Sequence, residues 1–211
     1  MIKNIIFDIG NVILNFEIDK VLSKFTDKKE EQNFILNNII NSPEWLGYAL
    51  IDTGFISKEV AIEIVKDRTN HQKDELIDNF WNNYNKYASI NDEVLTLIKT
   101  LKNNNYKIYL LSNINKHTHD SIKTSGLFEI VDGYVLSYLE HQVKPYDSIY
   151  NTLINRYNLN PKESLFIDDK EDNIKTANKL GILGKKVNPD DILSIIDLLN
   201  EYGIDMNMIA K

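Results

Sequence analysis

Three short apolar runs in this chain each stop abruptly on polar residues. Residues 2–7 (interrupted by Lys3 and Asn4) end at Asp8-Ile9-Gly10-Asn11, residues 107–111 at Ser112-Asn113, and residues 164–167 at Asp168-Asp169. Continuous apolar runs of this length, bounded by turn-forming residues, predict buried parallel strands. Residues 133–137 and 184–187 are weaker strand candidates. Between them, apolar positions recur at helical spacing over about 92–103, 146–157, 171–180 and 190–202. Strands alternating with helices predict an α/β fold, a doubly wound parallel sheet with right-handed crossovers.

One stretch breaks this rhythm. From about residue 17 to residue 89 strand signal is nearly absent and helical periods follow one another, as in 58–66 and 74–87. A βαβ crossover needs one helix, so roughly seventy residues here read as an insertion. The expected organisation is a core of residues 1–15 and 90–211 with an all-helical cap of residues 16–89. Trp45, Tyr48 and Phe55 flank an Asp52-Thr53-Gly54 turn and are candidates for lining a pocket, with ordinary core aromatics as the favoured reading.

Composition narrows the function classes. The formal net charge of -7 argues against non-specific nucleic-acid binding, which needs clustered Lys and Arg. With no cysteine there is no disulfide framework and no thiolate metal site. The first apolar run contains Asp8 and lacks a small-residue cleavage site, so it reads as a strand rather than a signal peptide. No run of about 20 uncharged apolar residues offers a membrane span. The simplest expectation is a cytoplasmic protein with no membrane association and no obligatory protein partner.

In an open α/β sheet the ligand crevice lies beyond the carboxyl ends of the strands, so residues far apart in sequence converge there. Asp8 alone is equally a turn cap or a nucleophilic carboxylate able to take a phosphoryl group. Ser112 and Asn113 are turn formers, or a hydroxyl and a backbone N–H for a phosphate oxygen. Lys144, set before Pro145, is a surface lysine or a point charge for a phosphoryl group. The adjacent carboxylates of Asp168 and Asp169 are the strongest single signal. They repel each other unless a hard divalent cation such as magnesium relieves them. Asp172 and Asn173 read as caps of the following helix in preference to direct metal ligands. The order Asp, Ser-Asn, Lys-Pro, Asp-Asp on a βα scaffold is far more specific than any member alone.

That order resembles the haloacid-dehalogenase-like hydrolase superfamily over essentially the whole chain. FDIGNVI (7–13), LLSN (110–113), VKP (143–145) and FIDDKEDN (166–173) are similar to its four motifs, and the insertion is similar to the helical cap of its first cap class. FDxGNV with a double-Asp fourth motif most resembles the bacterial alpha-D-glucose-1-phosphate phosphatase group. The resemblance implies a phosphatase acting on a small phosphorylated metabolite, such as a hexose 1-phosphate, with Mg2+ as cofactor. It implies Asp8 as nucleophile, the metal on Asp8, the Gly10 carbonyl and Asp169, and phosphoryl oxygens on Ser112, Asn113 and Lys144. Asp168, Asp172 and Asn173 would stand just behind these groups, with Asp168 and Asp172 as alternatives for a further direct metal contact.

One departure from the family pattern matters. Most phosphatases of the superfamily carry a second Asp two residues after the nucleophile as general acid and base, and here that residue is Gly10. The departure predicts a preference for acidic leaving groups, or a substitute acid from the cap, with Glu17, Asp19 and Asp52 as candidates. Competing readings are a metal-free dehalogenase, against which the Asp168-Asp169 pair argues, a phosphomutase, and a non-catalytic phosphate-binding or magnesium-binding module. A response-regulator receiver would have its acidic pair on the first strand, the reverse of the order here.

Overall fold

The computed structural model describes residues 1–41, 48–188 and 191–204, with the backbone alone for residues 48 and 49. Five parallel strands, β1 (Asn4–Phe7), β4 (Lys107–Ser112), β5 (Gly133–Leu136), β6 (Ser164–Asp168) and β7 (Leu183–Lys186), form one sheet in the order β5-β4-β1-β6-β7. The three strands expected from continuous apolar runs occupy its centre, buried on both sides as such runs require. The chain builds outward from β1 through β4 to β5, then returns to the other flank of β1 for β6 and β7. The connectivity therefore reverses between β1 and β6, and a ligand crevice belongs at that point.

Side-chain alternation distributes two apolar layers about the sheet. Ile5, Phe7, Ile108, Leu110, Leu165 and Ile167 face one way, against helices Asp92–Asn103 and Ile192–Glu201. Ile6, Tyr109, Leu111, Val135 and Phe166 face the other way, against helices Asp147–Arg156 and Glu171–Lys179. These helices fall within a residue or two of the spans their periodicity predicts.

The inserted segment is helical, as expected, and carries its own apolar cluster. Val21, Leu22, Ile35, Ile51, Val65, Ile77, Phe80, Trp81 and Tyr84 pack together apart from the sheet layers. A feature absent from the sequence reading brackets it. Two-residue strands β2 (Leu14–Asn15) and β3 (Ser89–Ile90) pair antiparallel where the chain leaves and re-enters the sheet region. Two residues are too few to show a period, so the ribbon left no readable pattern.

Where β4 and β5 end, one buried hydroxyl joins their loops. Ser137 Oγ accepts the Ile114 N–H at 2.9 Å and donates to the Ile114 carbonyl at 3.2 Å. Removing it strands two buried backbone groups beside the crevice. Ser137→Ala is expected to lower unfolding free energy by about 1–3 kcal/mol in urea denaturation. An unchanged midpoint and slope would show that this crosslink holds nothing.

Candidate active site

The polar strand ends converge as the topology requires. Asp8 follows β1, and its N–H bonds the Ile167 carbonyl at 2.9 Å, which sets it beside the end of β6. Lys144 reaches in from the loop after β5, and its ammonium lies 2.9 Å from Asp8 Oδ1 and 2.6 Å from Asp168 Oδ2. All three groups are buried, Asp168 completely and Lys144 at 3% exposure. Asn113 explains how the lysine is aimed. Its side chain donates to the Lys144 carbonyl at 2.9 Å and accepts the Lys144 N–H at 2.8 Å. The Asn113 amide is thus engaged at both ends in holding the Lys144 backbone, a use its place after β4 did not announce.

The two fourth-motif carboxylates differ in what remains free on them. Asp168 is saturated: besides Lys144 it accepts both Asn173 Nδ2 contacts, at 3.0 and 2.9 Å, and the Lys170 N–H at 2.8 Å. Asp169 accepts Asn11 Nδ2 at 3.2 Å on Oδ2, while its Oδ1 is buried with no partner among the described residues. Asp8, Asp168 and Asp169 each offer a carboxylate oxygen within 4.8 Å of the others. Three carboxylates against one ammonium leave a local negative excess, and an orphaned buried oxygen lies among them. A hard cation with oxygen ligands fits both features.

Electrostatics bear this out. Burial raises the Asp8 carboxyl to about 6, with Asp168 adding to the rise, while Lys144 and the nearby Ser112 hydroxyl pull it down. Burial works against the Lys144 charge, but Asp8 and Asp168 together outweigh it and hold its pKa above the usual lysine value. The buried Ser112 Oγ lies beside Asp8, close enough to lower its pKa, and has no other hydrogen-bond partner among the described residues.

A cavity of about 670 Å³ opens next to this cluster, with Lys144 but none of the three carboxylates in its lining. Gly10, Asn11, Ser112, Asn113 and Lys144 form part of its lining, together with Lys170, Glu171, Asp172 and Asn173. The insertion contributes Phe16, Ile40, Asn41, Asp52 and Asn85. A β-carbon at Gly10 would meet nothing within 4 Å, so position 10 has room for a side chain that this sequence does not supply.

Several expectations are corrected. Helix Glu171–Lys179 is not capped by Asp172 or Asn173: its N-cap position is Lys170, with no side-chain cap. Asn173 turns inward to Asp168, whereas Asp172 is exposed at the rim, paired with Lys175 at 3.0 Å. Asp172 makes no bond to the carboxylate cluster among the described residues. Phe55 is neither core nor lining of this cavity; it is 68% exposed and stacks on His141. Trp45 and the Tyr48 side chain lie outside the described residues. Asn11 and Asn115 were missed as contributors, because an isolated Asn in a turn has the same local signature whether or not it reaches a distant carboxylate.

The raised Asp8 pKa has a measurable consequence. Since the folded-state value exceeds the unfolded 3.8, the stability Asp8 contributes is full below pH 3.8 and is lost as pH rises through about 6. In EDTA, Asp8→Asn is expected to exceed the parent in stability by about 1–3 kcal/mol near pH 8, with the gap closing towards pH 4. Urea denaturation at each pH reads this out, and a variant no more stable than the parent near pH 8 would contradict the burial argument.

The chain and its fold are similar to known proteins. The chain is 26% identical over 198 residues to a D-ribitol-5-phosphate phosphatase of Bacteroides thetaiotaomicron, covering 86% of this chain and 89% of the relative. A HAD family enzyme from the same organism, crystallised with magnesium and inorganic phosphate, superposes with a TM-score of 0.69 at 25% identity, covering 90% of this chain and 96% of that one. A predicted HAD-like family hydrolase from Porphyromonas gingivalis shares the fold, with a TM-score of 0.71 at 24% identity over 94% of this chain and 98% of its own. The family model for haloacid dehalogenase-like hydrolases matches residues 2–181, and the chain belongs to that family.

Proposed function

We propose that this hydrolase is a magnesium-dependent phosphatase of small phosphorylated polyols or sugars, working through a phosphoryl group carried on Asp8. The observation that carries the reading is the buried cluster of Asp8, Lys144, Asp168 and Asp169, with Asp169 Oδ1 left unbonded among the described residues. A dehalogenase that works without a metal has no use for the Asp168-Asp169 carboxylate pair.

Asp8 and Asp169, with the Gly10 carbonyl, would hold Mg2+. When bound, the ion neutralises charge on the phosphoryl oxygens and on the carboxylates around it. Every other task falls to side chains. An Asp8 oxygen attacks phosphorus, and the bond from phosphorus to the leaving oxygen breaks. The Lys144 ammonium, fixed by Asp168 and Asn113, stabilises negative charge on the phosphoryl group without having to reorganise. The Ser112 hydroxyl, beside Asp8, would donate to a phosphoryl oxygen. Water then attacks phosphorus, the bond to Asp8 breaks, and phosphate leaves with the Asp8 carboxylate restored. Asp168 and Asn173 hold Lys144 and the loop after β6 in place.

The cavity suits a substrate of sugar size, since its volume falls within the usual range for small-molecule sites. Asn11, Asn41 and Asn85 in its lining carry amide groups able to hydrogen-bond hydroxyl groups. The D-ribitol-5-phosphate phosphatase relative favours a polyol or pentose phosphate, and hexose 1-phosphates fit the same cavity. The lack of cysteine is compatible with work in a reducing cytoplasm.

Phosphate release should be measured on ribitol 5-phosphate, glucose 1-phosphate, nucleotides and acetyl phosphate, with Mg2+ and with EDTA. Turnover is expected to require Mg2+, to fall at least ~10³-fold in Asp8→Asn, and to need much more Mg2+ in Asp169→Asn, which removes a charged oxygen ligand. Turnover that survives EDTA or Asp8→Asn would refute the mechanism. Magnesium binding without turnover of any substrate would make the chain a binding module.

A further inference from the structure

The leaving oxygen of an alkyl phosphate needs a proton, and position 10 holds a glycine with open space around it. Of the three cap carboxylates singled out in the sequence, Glu17 and Asp19 are exposed and line no part of the cavity, and Glu17 pairs with Lys20 at 2.6 Å. Asp52 does line it, at the end of helix Tyr48–Asp52.

Two sets of contacts fix Asp52 in that position. Asn115 Nδ2 donates to Asp52 Oδ1 at 3.0 Å. The Asn115 amide has no freedom to turn round, because its oxygen caps helix Lys116–Ile122 by accepting the Thr118 N–H at 2.9 Å and also accepts the Tyr84 hydroxyl. Its NH₂ group therefore points at the carboxyl. Asp52 Oδ2 takes no hydrogen bond from any described residue.

The residues that follow Asp52 clamp it to the sheet region. The Thr53 carbonyl lies 3.0 Å from His141 Nδ1, and Phe55 stacks on the same ring. Gly54, at φ +70, passes so close to Tyr138 that a β-carbon would lie 2.2 Å from its carbonyl oxygen. Such an approach admits only glycine.

We propose that Asp52 is the general acid and base of this enzyme, doing from the cap what position 10 leaves undone; the inference rests on the phosphatase reading above. As an Asp8 oxygen bonds to phosphorus and the bond to the substrate oxygen breaks, the Asp52 proton passes to that oxygen and the alcohol leaves. The Asp52 carboxylate then takes a proton from the attacking water, whose remaining O–H bonds to phosphorus as the bond to Asp8 breaks. Phosphate departs, and both carboxyl groups return to their starting states.

The charged surroundings suit this double role. Burial raises the Asp52 carboxyl to about 7, against the Asn115 donor and Lys170, with the Asp8 charge adding to the rise. Glu171 and Asp172 also line the cavity, but both are exposed and neither bonds to Asp52. A carboxyl near 7 is present in both protonation states at neutral pH, as an acid that must later act as a base requires. With Asp52 in this role, the expected restriction to acidic leaving groups disappears and alkyl phosphates become competent substrates.

The test compares kcat/KM of the parent and Asp52→Asn on ribitol 5-phosphate, phenyl phosphate, p-nitrophenyl phosphate and acetyl phosphate. Asn keeps the acceptor for Asn115 and cannot transfer a proton. Its loss is expected to be about 10²–10³-fold for ribitol 5-phosphate and under about fivefold for acetyl phosphate, graded by leaving-group acidity. Retained acetyl phosphate turnover serves as the control for folding, and Glu17→Gln is expected to match the parent throughout. A loss of equal size on every substrate, no loss at all, or the same graded profile in Glu17→Gln would overturn the assignment to Asp52. If the parent itself releases no phosphate from acetyl phosphate with Mg2+, the phosphatase reading fails and this inference falls with it.

Discussion

A lysine ammonium buried between two carboxylates stands at the centre of this molecule. Lys144 touches Asp8 after β1 and Asp168 at the end of β6, the two neighbouring strands between which the sheet reverses its connectivity. Burying three charges is a poor way to gain stability, because desolvation consumes much of what their attraction returns. The surrounding structure nevertheless holds them: Asn113 grips both sides of the Lys144 peptide unit, and Asn173 and the Lys170 N–H fill the remaining acceptors of Asp168. With Asp168 fully bonded, the acceptor capacity that remains in the cluster lies on the Asp8 carboxylate and Asp169 Oδ1.

The insertion reaches this centre through hydrogen bonds rather than through a shared apolar core. Its own cluster, built around Phe80, Trp81 and Tyr84, is separate from the sheet layers. Contact with the sheet region runs through Tyr84 and Asn85 to Asn115 and Thr118, and through the Thr53-Gly54 turn to His141 and Tyr138. These contacts are hydrogen bonds, one ring stack and one close backbone approach, and they tie the insertion to the segments after β4 and β5.

Much of this was legible in the sequence, and what was not has a physical explanation. Strands β1, β4 and β6 could be read because strands buried on both faces must be apolar throughout, and because each halts at residues that do not belong in a core. The Asp168-Asp169 pair stood out because adjacent carboxylates need a reason. The division of labour between them did not, since it is set by Asn173, Lys144 and Asn11, residues five to 158 positions away from the carboxylates they bond. Asn113 and Asn115 looked like ordinary turn residues, and only tertiary contact shows one holding Lys144 and the other holding Asp52. Asp52 was one of three cap carboxylates with equal claims until the fold brought it alone to the cavity.

The account turns on Asp8 carrying the phosphoryl group, and peptide mapping reads that state directly. The enzyme would be mixed with acetyl phosphate and Mg2+, quenched in acid within the first turnovers, and reduced with borohydride, which converts an aspartyl phosphate to homoserine. Mass spectrometry of the peptide bearing Asp8 is predicted to find homoserine at that position, dependent on both substrate and Mg2+. Phosphate released at the full rate with Asp8 unmodified, or modification confined to another carboxylate, would contradict the account.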